Sequence, residues 1–599
     1  MPFDGLVLAA VRQELEVKFS GARIEKIYQP EREELALVLH QPGLRQRLLL
    51  SAHARDARVH LTATSKENPV SAPLFCMVLR KHLEGGRILA FEQPGLERVL
   101  IIKIESRDEL GRSAEKHLVC EIMGKHSNII LLNPDSGVIL DGIRRYSHSV
   151  SRYREVLPGR DYLPPPAQGK LNPLALDEEK FRQICLDAPL ETTLPNLLQK
   201  RLEGLSPVTC REIVHRANLP LDFLLDQSGD YDLRALWQAL CTIIIPARKG
   251  EFEPCLHTGK KGDHLDFAAL ELSHTGKPCK HGGMNVLLDF FFTERCQQQK
   301  FSVQKNTVFS LLNKEISRLV KKVSIYTGSM DETAGADQLR LYGELLTANL
   351  YRLEKGLPEA LLENYYDSTS PLVAVPLDPQ LTPLENSRVY FKKYVKAKNT
   401  RVAVELRLDL AKEELSYLEG IKTALEQADS PAELDEIRQE LTEQSYLKTP
   451  VPRPGTKKNK KKERHIPKPH SFRSSDDFAI FVGKNNKQND YLTLKMAAQD
   501  DLWLHTKDIH GAHVIIRVEG REIPARTLEE ASVLAAFFSK GRGSTKVAVD
   551  YTQVKHVHKP KGARPGMVIY EHQKTIMAAP DEEKVEILRT PELVQNDAQ

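Results

Sequence analysis

Two long stretches, residues 300–355 and 385–445, repeat apolar side chains every three or four positions without the apolar width that a globular core needs. Val308, Leu312, Ile316, Leu319 and Val323 mark the first. Leu415, Leu418, Ile421 and Leu425, then Leu434, Ile437 and Leu441, mark the second. A stripe this narrow is buried only against another of its kind. Pro371, Pro376, Pro379 and Pro383 break the helical pattern between them. The economical solution is a long antiparallel coiled-coil arm over residues 291–445. An oligomerising coiled coil is the rival, but both partners are present in one chain.

With 599 residues, the chain is expected to form about three to five domains, because single cores stop growing well before this length. Residues 1–175 read as an α+β domain dominated by antiparallel sheet. A first helix carries Leu8, Val11, Leu15 and Phe19 at helical spacing. Short strands follow near 23–28, 35–40, 99–105, 118–123 and 128–132, and a second helix over 73–84 stops at Gly85-Gly86. Over 176–225 the pattern changes to short helices. Those at 194–203 and 207–217 flank Gly204-Leu205-Ser206, with Ser206 placed to cap and Pro207 in the first turn. Such a pair resembles a helix-hairpin-helix, which offers its hairpin amides to phosphates, although Ser206 replaces the usual second glycine. Residues 226–290 continue the amino-terminal region. Residues 446–465 are a basic linker, 466–585 a carboxy-terminal α+β domain with strands near 478–482, 514–518, 547–550 and 567–570 and a helix over 528–540, and 586–599 a tail. The expected fold class is multidomain α+β.

Net charge says little about partners, since Lys+Arg 85 against Asp+Glu 81 leaves only +4. Clustering says more. Residues 453–464 hold seven basic side chains, one acid and no apolar residue, so they cannot fold alone and can neutralise phosphates. Residues 540–564 carry seven Lys or Arg against one acid, Lys555, Lys559 and Lys561 among them. Between these lies a polar block, 482–513, whose Asn485, Asn486, Asn489, Trp503 and His505 suit tight turns or RNA oxygens and bases. No run approaches 18 apolar residues, and the amino terminus does not read as a signal peptide, so the expected setting is the cytoplasm without membrane attachment. The 8 cysteines form no CxxC pair and read as reduced thiols. Cys279 and His281 are close, but zinc normally takes four ligands in two pairs, so no metal is expected. No phosphate loop, nucleophile elbow or zinc spacing appears, and Asp500-Asp501 reads as a turn cap. The chain is therefore expected to be a binding factor without catalytic residues or cofactor.

Removal of Met1 would expose Pro2, and a β-rich domain followed by a helical hairpin resembles the layout of formamidopyrimidine-type DNA glycosylases. Those carry glutamate directly after the proline, where this chain has Phe3, and a four-cysteine finger that is not present here. A fuller resemblance rests on FDG with RIEKIYQP, FCMVLRKHLEGGRI, GLERVL, EIMGKHSNIILLN, REVLPGRDYLPPP, YGELLTANLY, LTPLENSRVYFKKYVKAK and the 482–513 block. Together and in this order they resemble the NFACT family over residues 1–585. That resemblance implies a glycosylase-like amino-terminal domain, a helix-hairpin-helix, a coiled-coil arm and a carboxy-terminal RNA-binding domain. It also implies a role in ribosome-associated quality control. The implied partners are the large ribosomal subunit (its RNA and a stalk-base protein), peptidyl-tRNA, alanyl-tRNA and an RqcP-like small RNA-binding protein, and alanine tails are added while peptidyl transfer stays with the ribosome. The family's Asp-Arg pair for tRNA recruitment falls on Glu97-Arg98, and a second tRNA-linked motif falls on Glu121, Ile122 and Met123, with Lys125 and His126 following. A DNA-repair lyase and a fibronectin-binding surface adhesin are the other classes to weigh. The first is opposed by Phe3, the second by the lack of an export signal.

Overall fold

The computed structural model describes residues 3–107, 111–149, 152–258, 264–276, 279–333, 335–367, 371–448 and 468–589. Pro2, the lysine run at 453–464 and the end of the tail lie outside them. The chain divides into two compact units, Met1–Gln298 and Gln299–Gln599.

In the first unit, α1 (Gly5–Phe19) begins where the Asp4 carboxylate accepts the Val7 amide at 3.0 Å. Its Leu8, Val11, Leu15 and Phe19 are all fully buried, as their spacing predicts. The chain then builds β1 (Arg23–Glu31), β2 (Glu34–Gln41), β3 (Leu44–Ser51), β4 (Arg58–Thr62), α2 (Leu74–Leu83), β5 (Arg87–Glu92), β6 (Val99–Arg107), β7 (Ser113–Glu121), β8 (Asn128–Asn133) and β9 (Val138–Gly142). These nine strands form one sheet in the order β4-β3-β2-β1-β5-β6-β7-β8-β9. Its pairs are antiparallel. Strand alternation sends Leu100, Ile102, Leu118, Cys120 and Ile129 into the main core with α1 and α2. Val99, Val119, Ile130 and Leu132 point to the opposite face, where Val156 and Tyr162 cover them.

A helical group follows: α3 (Glu178–Leu186), α4 (Leu194–Arg201), α5 (Pro207–Arg216) and the 20-residue α6 (Asp230–Lys249). Ser206 caps α5 by accepting the Thr209 amide, with Pro207 in the first turn. The Ser206 amide, one of the hairpin amides that a helix-hairpin-helix would offer to a phosphate, instead donates to the Asp4 carboxylate at 3.1 Å, and the Thr209 hydroxyl donates to the same oxygen at 2.9 Å. Asp4 thus binds the start of α1 to the α4–α5 turn. Phe3 is a core residue at 2% exposure, edge-on to Phe267. A small sheet, β11-β10-β12, is made by β10 (Cys255–Thr258), β11 (His264–Ala268) and β12 (Cys279–His281). The 50-residue α7 (Met284–Thr333) leads into the second unit.

There, α8 (Ala336–Ala348) packs on the 45-residue α9 (Pro383–Gln427), and α10 (Pro431–Glu443) follows. The striped residues meet as anticipated: Val308, Leu312 and Leu319 join Leu418, Ile421, Leu425, Leu434, Ile437 and Leu441 in one buried cluster. The proline-rich middle is more than a turn, since β13 (Glu359–Glu363) and β14 (Leu372–Pro376) form a hairpin packed on Leu345 and Leu346 of α8. Alternating Ala360 and Leu362 inside charged neighbours made that strand hard to see among prolines.

The carboxy-terminal part comprises β15 (His470–Arg473), β16 (Ala479–Gly483), α11 (Asn486–Tyr491), β17 (Leu502–Thr506), β18 (His513–Ile516), α12 (Ala525–Phe537), β19 (Val547–Gln553), β20 (Val557–His558), β21 (Ile569–Tyr570), β22 (Lys574–Ala578) and α13 (Glu582–Leu588). Its six-stranded sheet runs β15-β16-β18-β17-β19-β22, and α12 packs on one face through Ala531, Leu534 and Ala535.

Candidate nucleic-acid interface

Register brings together two motifs that are more than 20 residues apart in sequence. Val99 of β6 pairs with Glu121 of β7, and just beyond the ladder the Ile122 amide donates to the Arg98 carbonyl at 2.8 Å. Glu97-Arg98 and Glu121–Met123 therefore sit side by side at one end of the sheet. The loop carrying Glu97 is held from below. The Glu203 carboxylate accepts the Leu96 amide at 2.8 Å, and the Gln93 side chain donates to the carbonyls of Gly5 and Glu97 at 3.0 and 2.9 Å. Gly204, at φ +73°, lies so close that an added Cβ would stand 2.4 Å from the Leu96 carbonyl oxygen.

Within the Glu121–Met123 motif the three side chains have different surroundings. Ile122 is 1% exposed in the main core and Met123 packs on the opposite face. Glu121 is 1% exposed. Its two oxygens accept from Arg154 at 2.7 and 2.5 Å, and one of them also from the Tyr162 hydroxyl at 2.9 Å. Burial and the Glu121 charge together push the Tyr162 hydroxyl far above its usual range, so it is a fixed donor. Arg154 also donates to the Leu163 carbonyl at 2.7 Å. Glu121 thus clamps residues 154–163 across the second face of the sheet, and its carboxylate is occupied. Arg154 and Tyr162 were missed from sequence as its partners, although both lie in the REVLPGRDYLPPP run; only the fold reveals what they bind.

Above this clamp opens a cleft of about 1420 Å³. Glu97, Arg98, Met123, Lys125 and His126 line it together with Arg144, Arg145, Tyr146 and Tyr153. Lys125 and His126 are exposed, as is Tyr153 at 54%. Arg144 is committed to Glu33 at 2.8 Å and to the Lys125 carbonyl, and Arg145 to Asp141 at 2.7 Å. Among the described residues neither Glu97 nor Arg98 makes a side-chain hydrogen bond or an ion pair. The guanidinium remains available for an external acceptor. A cleft above the roughly 300–1,000 Å³ of small-molecule sites, lined by cations and aromatic rings, suits part of a polymer.

The polar block of the second unit is arranged otherwise than its composition suggested. Asn485 caps α11 and donates to Glu436 of α10 at 2.6 Å; Asn486 donates to Glu440 at 2.9 Å. Lys487 pairs with Glu443 at 2.9 Å and His470 with Glu433 at 2.6 Å. Burial alone would raise the Glu433 carboxyl, but His470 and Lys484 hold it at about 2. These donors face the acidic side of α10. Trp503 is fully buried against His505 and Tyr570 and offers no surface for a base to stack on. His505, with His510 and His513, lines a cavity of about 130 Å³, and burial holds the His505 imidazole down at about 4. Trp503 therefore shapes the fold, while His505 is partly buried and faces the cavity. Asp501 accepts the Ala498 and Val518 amides at 2.8 and 2.9 Å, which makes it the turn cap that was anticipated. In the basic strip Lys555 and Lys561 are exposed, whereas Lys559 is ion-paired with Asp490.

Residues 4–464 match the family model of the NFACT N-terminal and middle domains, and residues 468–571 that of the NFACT protein RNA binding domain. The chain belongs to the NFACT family. This NFACT chain is 40% identical to the Rqc2 homolog RqcH of Bacillus subtilis over 98% of its own length and 99% of that protein's. It is 35% identical to the Rqc2 homolog RqcH of Streptococcus suis over 98% and 100% of the two chains. A solved structure of the N-terminal part of the fibronectin/fibrinogen-binding protein of Streptococcus suis is 31% identical, covering 49% of this chain and 99% of that one with a TM-score of 0.41. As an NFACT protein it combines a β-sheet amino-terminal unit, long helices and a carboxy-terminal RNA-binding domain.

Proposed function

We propose that this chain is a ribosome-associated quality control factor of the RqcH kind. In this reading it binds large ribosomal subunits obstructed by peptidyl-tRNA, and it recruits alanyl-tRNA so that carboxy-terminal alanine tails mark the nascent chain for degradation. Peptidyl transfer is left to the ribosome, and the setting is the cytoplasm. The observation that carries the reading is the unpaired Arg98 guanidinium on the wall of a polymer-sized cleft beside Lys125 and His126. Arginine there can fork onto phosphate or a base edge. Glu97 keeps the family aspartate's charge while moving it by one methylene. The domains run as 1–175, 176–225 with its helix-hairpin-helix, 226–290, a coiled-coil arm over 291–445, a linker over 446–465 and an RNA-binding domain over 466–585. The exposed Lys555 and Lys561 supply attraction to ribosomal RNA, with a stalk-base protein and an RqcP-like small RNA-binding protein as further partners.

Co-sedimentation with purified large subunits, followed by sequencing of the bound tRNA, tests this. Wild type is expected to pellet with subunits and enrich alanine tRNA; Arg98→Ala keeps subunit binding and loses the tRNA. Loss of both together rejects the division of labour, and a chain that stays in the supernatant at low salt rejects the whole reading.

A further inference from the structure

Cys279 and His281 were set aside in the sequence for want of a second ligand pair. Strand register supplies one. β10 and β12 are antiparallel neighbours, with Cys255 opposite His281, Leu256 opposite Lys280, and His257 opposite Cys279. Opposed residues, and residues two apart on one strand, project from the same face of a sheet. Cys255, His257, Cys279 and His281 therefore share one face, while Leu256 points into the main core.

On that face each cysteine meets the histidine of its own strand. Cys255 Sγ lies 3.2 Å from His257 Nε2, and Cys279 Sγ lies 3.1 Å from His281 Nε2. A third ligand type joins the outer pair: single ligand atoms of Glu271, Cys279 and His281 all lie within 4.8 Å of one another. Zinc with bonds of about 2.3 Å to sulfur and 2.0–2.1 Å to nitrogen spaces tetrahedral ligands by about 3.5 Å. The two cysteine–histidine separations need to widen by only a few tenths of an ångström, whereas the outer three must draw in from separations of up to 4.8 Å and the Cys255–His257 pair must close on them. Two tiers result, an inner one of buried Cys255 and His257 and an outer one of more accessible Glu271, Cys279 and His281.

This face of the small sheet covers only a small apolar core, and the Cys255 thiol donates to the Leu270 carbonyl at 3.0 Å. Its apolar cluster contains three buried residues, Cys255, Ala268 and Leu272, with Val208 of α5 packed against them. The segment leading to β12 is fastened to α5 by buried Glu212, which accepts the Ser273 hydroxyl at 2.8 Å, the His274 amide at 3.1 Å and His274 Nδ1 at 2.7 Å. A small core of this kind commonly gains a metal staple.

We propose that this face is a zinc site, in which Cys279, His281 and Glu271 supply three ligands and the facing Cys255–His257 pair supplies the fourth. Thiolate with imidazole selects zinc over magnesium or calcium, which prefer oxygen. The ion would bind β12 to β10, and through residues 270–276 to α5.

The full chain, stripped with a chelator and dialysed against zinc or cobalt(II), tests the site by metal analysis and absorption. About one metal per chain is expected, and the cobalt form should show tetrahedral d–d bands with a thiolate-to-cobalt charge-transfer band. Cys279→Ser and His281→Ala should each lose both signals, while Cys241→Ser, which alters a thiol on α6, keeps them. Thermal melts guard against misfolding: zinc should raise the wild-type midpoint, and the two variants should melt with metal-free wild type and not respond to zinc. The proposal is overturned if reloaded wild type holds no metal, if the cobalt spectrum lacks the thiolate band or survives Cys279→Ser, or if the fresh chain contains a Cys255–Cys279 disulfide.

Discussion

Replacing Arg154 separates two ways in which Glu121 can matter. Both side chains are buried, at 6% and 0% side-chain exposure, and both oxygens of Glu121 are in use. Arg154→Ala strands a carboxylate in the sheet's second face, and breaking a buried pair from one side costs about 3–5 kcal/mol. At 1.36 kcal/mol per decade this is roughly a hundred- to several-thousand-fold rise in the opening equilibrium. Hydrogen exchange of peptides spanning the β6–β8 ladder reads that factor directly as lost protection. An apolar exchange of both partners, Arg154→Met with Glu121→Leu, leaves no stranded charge and should recover most of the protection.

The RNA readout then decides the role. If Glu121 acts by holding residues 154–163, Arg154→Ala loses tRNA enrichment although the arginine is buried, and the apolar double variant regains it together with protection. Unchanged exchange in Arg154→Ala, within about threefold, refutes the clamp, since a partner worth under 1 kcal/mol cannot be holding the segment. Restored protection without restored tRNA refutes the positional role and makes the Glu121 carboxylate itself a contact.

Gly204→Ala forces a Cβ into 2.4 Å contact with the Leu96 carbonyl at a left-handed φ; a loss of about 2–4 kcal/mol is expected, measured by urea denaturation, with weaker tRNA enrichment because the Glu97 loop shifts. His505 is held neutral down to about pH 4, whereas its unfolded form takes a proton near 6.5. Protons therefore bind the unfolded chain first, and stability present above about pH 6.5 is lost toward pH 4, by about 3 kcal/mol from this residue. Denaturation followed by tryptophan fluorescence in a Trp237→Phe background, where Trp503 reports alone, should show that slope, and His505→Gln should flatten it. Lys555→Ala with Lys561→Ala should lower the slope of log affinity for RNA against log salt by about 1–2, with equal effect on unrelated sequences; Lys559→Ala should change it less, because Asp490 already neutralises that lysine.

Local patterns in the sequence carried much of the fold. The stripes through Leu312 and Leu418, the Ser206 cap and the burial of Leu8 to Phe19 depend on neighbours three or four residues away, and each is found where spacing puts it. What local pattern does not encode is which polar group satisfies which. Asn485 and Asn486 look like donors awaiting RNA until α10 brings Glu436 and Glu440 to them. Trp503 looks like a stacking surface until β17 proves to be a central strand. The same limit hid Arg154 from Glu121 and the Cys255–His257 pair from Cys279–His281, because in both cases the fold brings together residues more than 20 positions apart, by a covering loop in the first and by antiparallel strands in the second. Topology also sorts the basic residues, since a charge count treats Arg98, Arg144 and Arg145 alike. Of the arginines that line the cleft, Arg144, Arg145 and Arg154 have internal partners among the described residues and Arg32 and Arg98 do not, so a cleft lined with cations narrows to two guanidinium groups whose loss should be felt by an incoming RNA.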